Sequence, residues 1–111
     1  MRNNYKEGVQ DKFDNYGHLL NFEDWSIGVA EHLAKEEGVK MTEGHWEVIF
    51  FLREFYEEYS IAPMMIKTLV KAIAKKLGPE KGNKEYLYEL FPVGPAQANR
   101  IAGLPRPHGD P

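Results

Sequence analysis

Few side chains in this 111-residue chain could do chemistry, and none of them is a cysteine. Without a thiol there can be no disulfide, thiolate metal ligand, iron–sulfur cluster or thiol redox step within the chain. The histidines His18, His32, His45 and His108 never fall at the i, i+4 spacing that lets two imidazoles share a metal on one helix face. No metal and no cofactor is therefore expected. His45, directly before Trp46, reads as a hydrogen-bonded residue near the core. His108 and Asp110 could be drawn as an acid–base pair, but catalysis needs both groups held firmly in place, and both lie on a proline-rich tail. The sequence has no glycine-rich phosphate loop, nucleophile elbow or paired-carboxylate motif.

The most one-sided charged feature is a row of lysines with no acid among them, Lys67, Lys71, Lys75 and Lys76. Such a basic patch could contact DNA phosphates, dock an acidic protein, or simply be the solvated face of a helix. No arginine, asparagine or glutamine stands among the lysines to read base edges. The other unusual stretch is PVGPAQANRIAGLPRPHGDP, which carries five of the seven prolines and three of the ten glycines. Proline removes a backbone donor and glycine loses the most entropy on ordering, so residues 93–111 read as a flexible C-terminal arm. It contains no cysteine, serine, threonine or lysine with which to react covalently.

The elements that must position these groups are helical. A first helix is expected from Asn21, with Asp24 completing a cap, through Trp25, Val29 and Leu33 to a stop at Gly38. Thr42 caps a longer one running to Tyr59, apolar over a wide arc and hence central, with five glutamates against Arg53. Pro63 sits where a first helical residue is favoured, and a third helix should run to Leu77 with Met65, Leu69 and Ile73 inward. Asn83 caps a fourth that ends at Pro92. Within the arm, residues 95–102 form a helical island between Pro95 and Gly103, too short to persist unless it docks on the body. An Asp-Asn-Tyr-Gly turn signal at residues 14–17 is compatible with a small N-terminal β-hairpin or a plain loop. The fold class is all-α: a single domain over residues 1–111, with a bundle body over 1–92 that includes a helix-turn-helix-like pair.

Composition fits one soluble core, with 42% hydrophobic and 28% charged residues. At this length roughly two-thirds of the unfolded chain's surface is buried on folding. A net charge of -3 gives no overall basic field to recruit nucleic acid or anionic lipid. No apolar run is long enough to span a bilayer, and MRNNYKEGVQ lacks the apolar stretch of a secretory signal, so no membrane partner and a cytoplasmic location are expected.

With these segments in view, the chain resembles the DsrC/TusE family, small proteins once called the gamma subunit of dissimilatory sulfite reductase. The resemblance is carried by HWEVIFFLREFYEEY (residues 45–59), IKTLVKAIAKKLGPEKGNKEYLYELFPVGP (66–95) and IAGLPRP (101–107), with a weaker echo in GHLLNFEDWS (17–26). It implies a helical bundle with an N-terminal hairpin and a mobile arm. It also implies a penultimate cysteine that carries sulfur as a persulfide and, in dissimilatory members, a second cysteine eleven positions earlier. Here those places hold Asp110 and Asn99. A persulfide requires a thiolate, which neither a carboxylate nor a carboxamide supplies. The resemblance therefore implies a cysteine-free member acting as a non-catalytic binding or regulatory module of sulfur metabolism. Its partners would be sulfite reductase, a DsrEFH- or TusBCD-type sulfurtransferase, or a cysteine-bearing paralogue. Gly103, Leu104, Pro105, Arg106 and Pro107 would be the docking stretch, with Arg106 as charged anchor and Leu104 as apolar contact. Lys67 is the nearest match to a basic residue that dissimilatory members place early in the third helix, facing the arm. Two other functions remain open: DNA-binding regulation through the helix-turn-helix-like pair, and sulfur relay itself as the family name implies.

Overall fold

The computed structural model describes residues 13–14 and 17–105. A single 3-10 turn, Phe22–Asp24, precedes five α-helices: α1 Ile27–Glu37, α2 Glu43–Tyr59, α3 Ile66–Leu77, α4 Lys84–Leu90 and α5 Pro95–Ile101. Each boundary has a local cause. The Ser26 hydroxyl accepts the Val29 N–H at 3.2 Å to open α1. Gly38, at φ 73°, closes it in the left-handed conformation. Asn83 accepts from the Tyr86 N–H at 2.8 Å to open α4, as the sequence indicates. Pro95 occupies the first turn of α5.

Two helix starts differ from the sequence reading. Asn21 makes no side-chain cap, and the chain is extended at Trp25 (φ -75°, ψ 147°), so α1 begins only at Ile27, with Ser26 as its cap. That conformation lets the Trp25 indole N–H donate to the Ile101 carbonyl at 2.9 Å, a long-range contact that outweighs one more helical turn. Likewise α3 begins at Ile66 rather than Pro63, because Pro63 is buried in the connection and its carbonyl receives a tertiary hydrogen bond. Met65 is consequently 67% exposed instead of inward. Near the N-terminus the described residues hold one antiparallel bridge, Phe13 to Leu19, and no strand, so a β-hairpin is not supported.

The core gathers Leu33 and Ala34 from α1, Val48, Ile49 and Leu52 from α2, Leu69 and Ile73 from α3, and Leu87 and Phe91 from the α4 region. It then continues into Ala98, Ile101, Ala102 and Leu104. The helix within the expected arm packs on both α1 and α2. This answers the requirement that so short a helix must dock to exist. It also corrects the division at residue 92: the packed body extends through Leu104, which is fully buried. No helix among the described residues is long and apolar enough to cross a membrane.

Candidate functional site

The site begins with α5, because it carries position 99 and leads to the tail. Asn99 is 2% exposed. Its amide donates to the Pro63 carbonyl and to the Met64 Sδ, each at 3.1 Å, so it fastens the α2–α3 connection onto α5. The other carboxamide atom, Oδ1, is buried without a hydrogen-bond partner. A polar group left so is unfavourable. Position 99 is thus enclosed and filled by an amide, and nothing there can act as a nucleophile.

The C-terminal end of α5 is held by side chains from elsewhere. Trp25 takes the Ile101 carbonyl, and Arg53 Nη1 donates to the Ala102 carbonyl at 2.8 Å. Arg53 Nη2 donates to the Phe22 carbonyl, also at 2.8 Å. The guanidinium lies 3.7 Å from the Phe22 ring centre and 4.3 Å from that of Trp25. Burial lowers the Arg53 pKa from its ordinary value, with nearby Glu57 opposing the shift. Gly103 follows at φ 74°, and a Cβ there would lie 2.5 Å from Trp25 Cδ1. Glycine is required both by that conformation and by the close approach of the indole.

The outer side of α5 is tied to α1. Arg100 Nε donates to the Gly17 carbonyl at 2.8 Å, and its guanidinium pairs with Glu36 and Glu37. Gln97 bridges by donating to Glu37 at 3.0 Å and accepting the Val93 N–H at 3.2 Å. Arg53, Trp25, Gln97 and Arg100 were not marked as a group by the sequence. The usable signal was an arginine within the wide apolar arc of α2, a place where a charge must have a partner.

His45 is buried and satisfied, as its position beside Trp46 indicates. The Leu90 carbonyl can only accept, so Nε2 donates to it at 2.7 Å. Nδ1 is then free to accept from the Thr42 N–H at 3.1 Å, completing a capping box on α2. Among the described residues no three histidine, aspartate or glutamate side chains are grouped to hold a metal ion.

Of the docking stretch, Gly103 and Leu104 are buried and Pro105 is half-buried, whereas Arg106, Pro107 and Asp110 lie outside the described residues. Leu104 therefore cannot be an apolar contact for a partner while seated, because it completes the protein's own core. Lys67, Lys71 and Lys75 are exposed on α3 and make no ion pair among the described residues. Lys67 and Lys71, with Lys84 of α4, line an open groove of about 550 Å³ together with Ile66, Val70 and Ala74. Lys67 thus faces this groove, and it makes no hydrogen bond to α5. Nothing in this arrangement supports the DNA-binding alternative, since no base-reading side chain joins the lysines.

Residues 6–109 match the family described as DsrC like protein. The sulfurtransferase TusE of Photorhabdus laumondii is 56% identical over 102 residues, covering 91% of each chain. The structure is similar to DsrC of Allochromatium vinosum, determined by NMR, with TM-score 0.78 and 56% identity over 89% of this chain and 88% of that one. It is also similar to the oxidized gamma-subunit of the dissimilatory sulfite reductase (DsrC) from Archaeoglobus fulgidus. There the TM-score is 0.74 and identity 42%, over 89% of this chain and 90% of that one.

Proposed function

We propose, from the premise that this chain belongs to the DsrC-like protein family, that it serves sulfur-relay machinery as a binding module that carries no sulfur itself. The observation that carries this reading is the side chain at position 99, a buried carboxamide in a chain with no cysteine anywhere. Persulfide formation needs a thiolate to attack the sulfur donor and to keep the transferred atom. Asn99 offers neither, and its amide is engaged in fastening the α2–α3 connection. Asp110, at the other position where sulfur-carrying relatives would hold a thiol, is equally unable to bond sulfur.

Binding, by contrast, needs only the fold and a presented segment. The clamp of Trp25 and Arg53 on the last carbonyls of α5 holds Ile101 and Ala102 on the body, directly before the stretch that would be presented. Residues 106–111, with Arg106 as the charged anchor, would then engage sulfite reductase, a sulfurtransferase of the DsrEFH or TusBCD type, or the surface used by a cysteine-bearing relative. The role would be competition or scaffolding at that surface.

Co-purification of the full chain with these partners, against a chain ending at Pro105, is the direct test. The cut belongs there because residues 95–104 are part of the core, and a longer deletion would unfold the protein. Binding by the full chain and its loss on truncation is expected. Equal absence of binding by both would refute the docking role. Incubation with a persulfide donor followed by intact-mass measurement should show no added sulfur. A stable gain of one sulfur atom would refute the non-carrier role.

A further inference from the structure

We propose that the groove between α3 and the start of α4 is a second docking surface, shaped for an acidic amphipathic helix of a protein partner. The inference does not depend on the C-terminal tail or on sulfur transfer. Three features of the groove converge. Its lining combines apolar and cationic side chains: Ile66, Val70 and Ala74 share it with Lys67 and Lys71 of the same helix and with Lys84 of α4. None of the three lysines has an acidic partner among the described residues. Other lysines of the chain do pair: Lys81 reaches both Glu47 oxygens, and Lys76 lies 3.9 Å from Glu54.

Helix stability does not account for this placement. Lys67 and Lys71 stand one turn apart and repel each other, as do Lys71 and Lys75. Lys84 opens α4, the end at which a helix favours a carboxylate over a cation. In a chain whose net charge is -3, an unpaired cluster of this kind is a field directed outward.

The groove is also held in shape. A Cβ on Gly82 would overlap the backbone of Ala74, so the loop before α4 is pressed directly against α3. Asn83 donates to the Pro79 and Glu80 carbonyls at 3.1 and 2.7 Å while capping α4, which fixes the start of the helix where Lys84 joins the groove. A partner helix with glutamates at i and i+4 on one edge meets Lys67 and Lys71, since both pairs repeat at the same rise. An acid on its other edge meets Lys84, and leucine-sized side chains between them cover Ile66 and Val70. A nucleic-acid backbone would use the lysines and leave the apolar floor unused. That asymmetry favours a protein helix.

The test uses the full-length protein and a fluorescent, capped peptide of roughly 16 residues, long enough to hold helix, with that pattern of glutamate and leucine. Binding is read by anisotropy at low and moderate salt. A scrambled peptide of equal composition, a DNA duplex and anionic phospholipid vesicles serve as competitors. Lys71→Glu should weaken peptide binding by about tenfold or more, whereas Lys35→Glu, with the same charge change on exposed α1 surface, should change it less than about twofold. Val70→Ser should weaken binding at moderate salt, where the charges are screened and the floor carries the contact. Equal binding of the scrambled peptide, or equal effects of Lys71→Glu and Lys35→Glu, would overturn the proposal. So would displacement of the peptide by the duplex or the vesicles at lower concentration than by unlabelled peptide.

Discussion

Replacing Arg53 by methionine isolates the clamp that ends α5. Methionine keeps an unbranched stem against Phe22 and Trp25, so the change removes mainly the guanidinium. Two hydrogen bonds of 2.8 Å disappear, to the Ala102 and Phe22 carbonyls. The Ala102 carbonyl belongs to a fully buried residue and loses its side-chain donor outright, whereas the Phe22 carbonyl keeps the Trp25 N–H at 3.4 Å. A hydrogen bond from a charged donor to a buried carbonyl contributes about 1.5–3 kcal/mol, and the partly compensated one about 1 kcal/mol. Cation–π contact with two half-buried rings adds about 0.5–1 kcal/mol. Relief of the burial that lowers the Arg53 pKa works in the opposite direction. The net expectation is a destabilisation of about 3 kcal/mol, a fall in melting temperature on the order of 15 °C for a domain of this size. Far-UV circular dichroism in a denaturant titration is the appropriate assay, because Trp25 fluorescence would respond to the substitution itself. Arg53→Lys, able to make only one of the two bonds, should fall about midway. A loss below about 1 kcal/mol for Arg53→Met would refute the reasoning, since the α5 carbonyls would then have adequate partners without the guanidinium.

Two further outcomes follow from individual contacts. His45→Phe preserves an edge contact with Phe91 but removes the capping-box acceptor and the donor to Leu90, so it should destabilise by about 2 kcal/mol and speed amide exchange in the first turn of α2. Lys81 has a pKa raised above its ordinary value, chiefly by its hydrogen bond to Glu47. A base whose folded pKa exceeds its unfolded one stabilises fully below the unfolded value and loses that contribution as pH rises through the folded value. The stability difference between the protein and Lys81→Met should therefore be constant through neutral pH and close only in strongly alkaline solution. Denaturant titrations across that range check it.

Helix identity was legible along most of the chain because the signals are local. Thr42, Asn83 and Pro95 each mark a helix start through one hydrogen bond or one fixed dihedral, and the apolar spacing of α2 marks it as central. The two displaced starts share a cause: Trp25 and Pro63 both serve contacts with α5, more than thirty residues away along the chain. Proline and glycine density around α5 correctly indicated where regular structure breaks. It misplaced the end of the body, because composition reports backbone propensity and not what lies opposite a side chain. Asn99 illustrates the same limit, since its sequence context is that of a tail and its surroundings are those of a core.

By itself the sequence determined that no thiol chemistry is available, because covalent reactivity is a property of residue type and no packing can create a missing sulfur. It also determined the helical composition and the row of lysines on α3. Only the tertiary structure decided that position 99 is enclosed by Pro63 and Met64, that Leu104 is core, and that Lys84 joins Lys67 and Lys71 in lining one groove with Ile66, Val70 and Ala74. Those facts depend on burial and on contacts between distant segments, which exist only once the helices have packed.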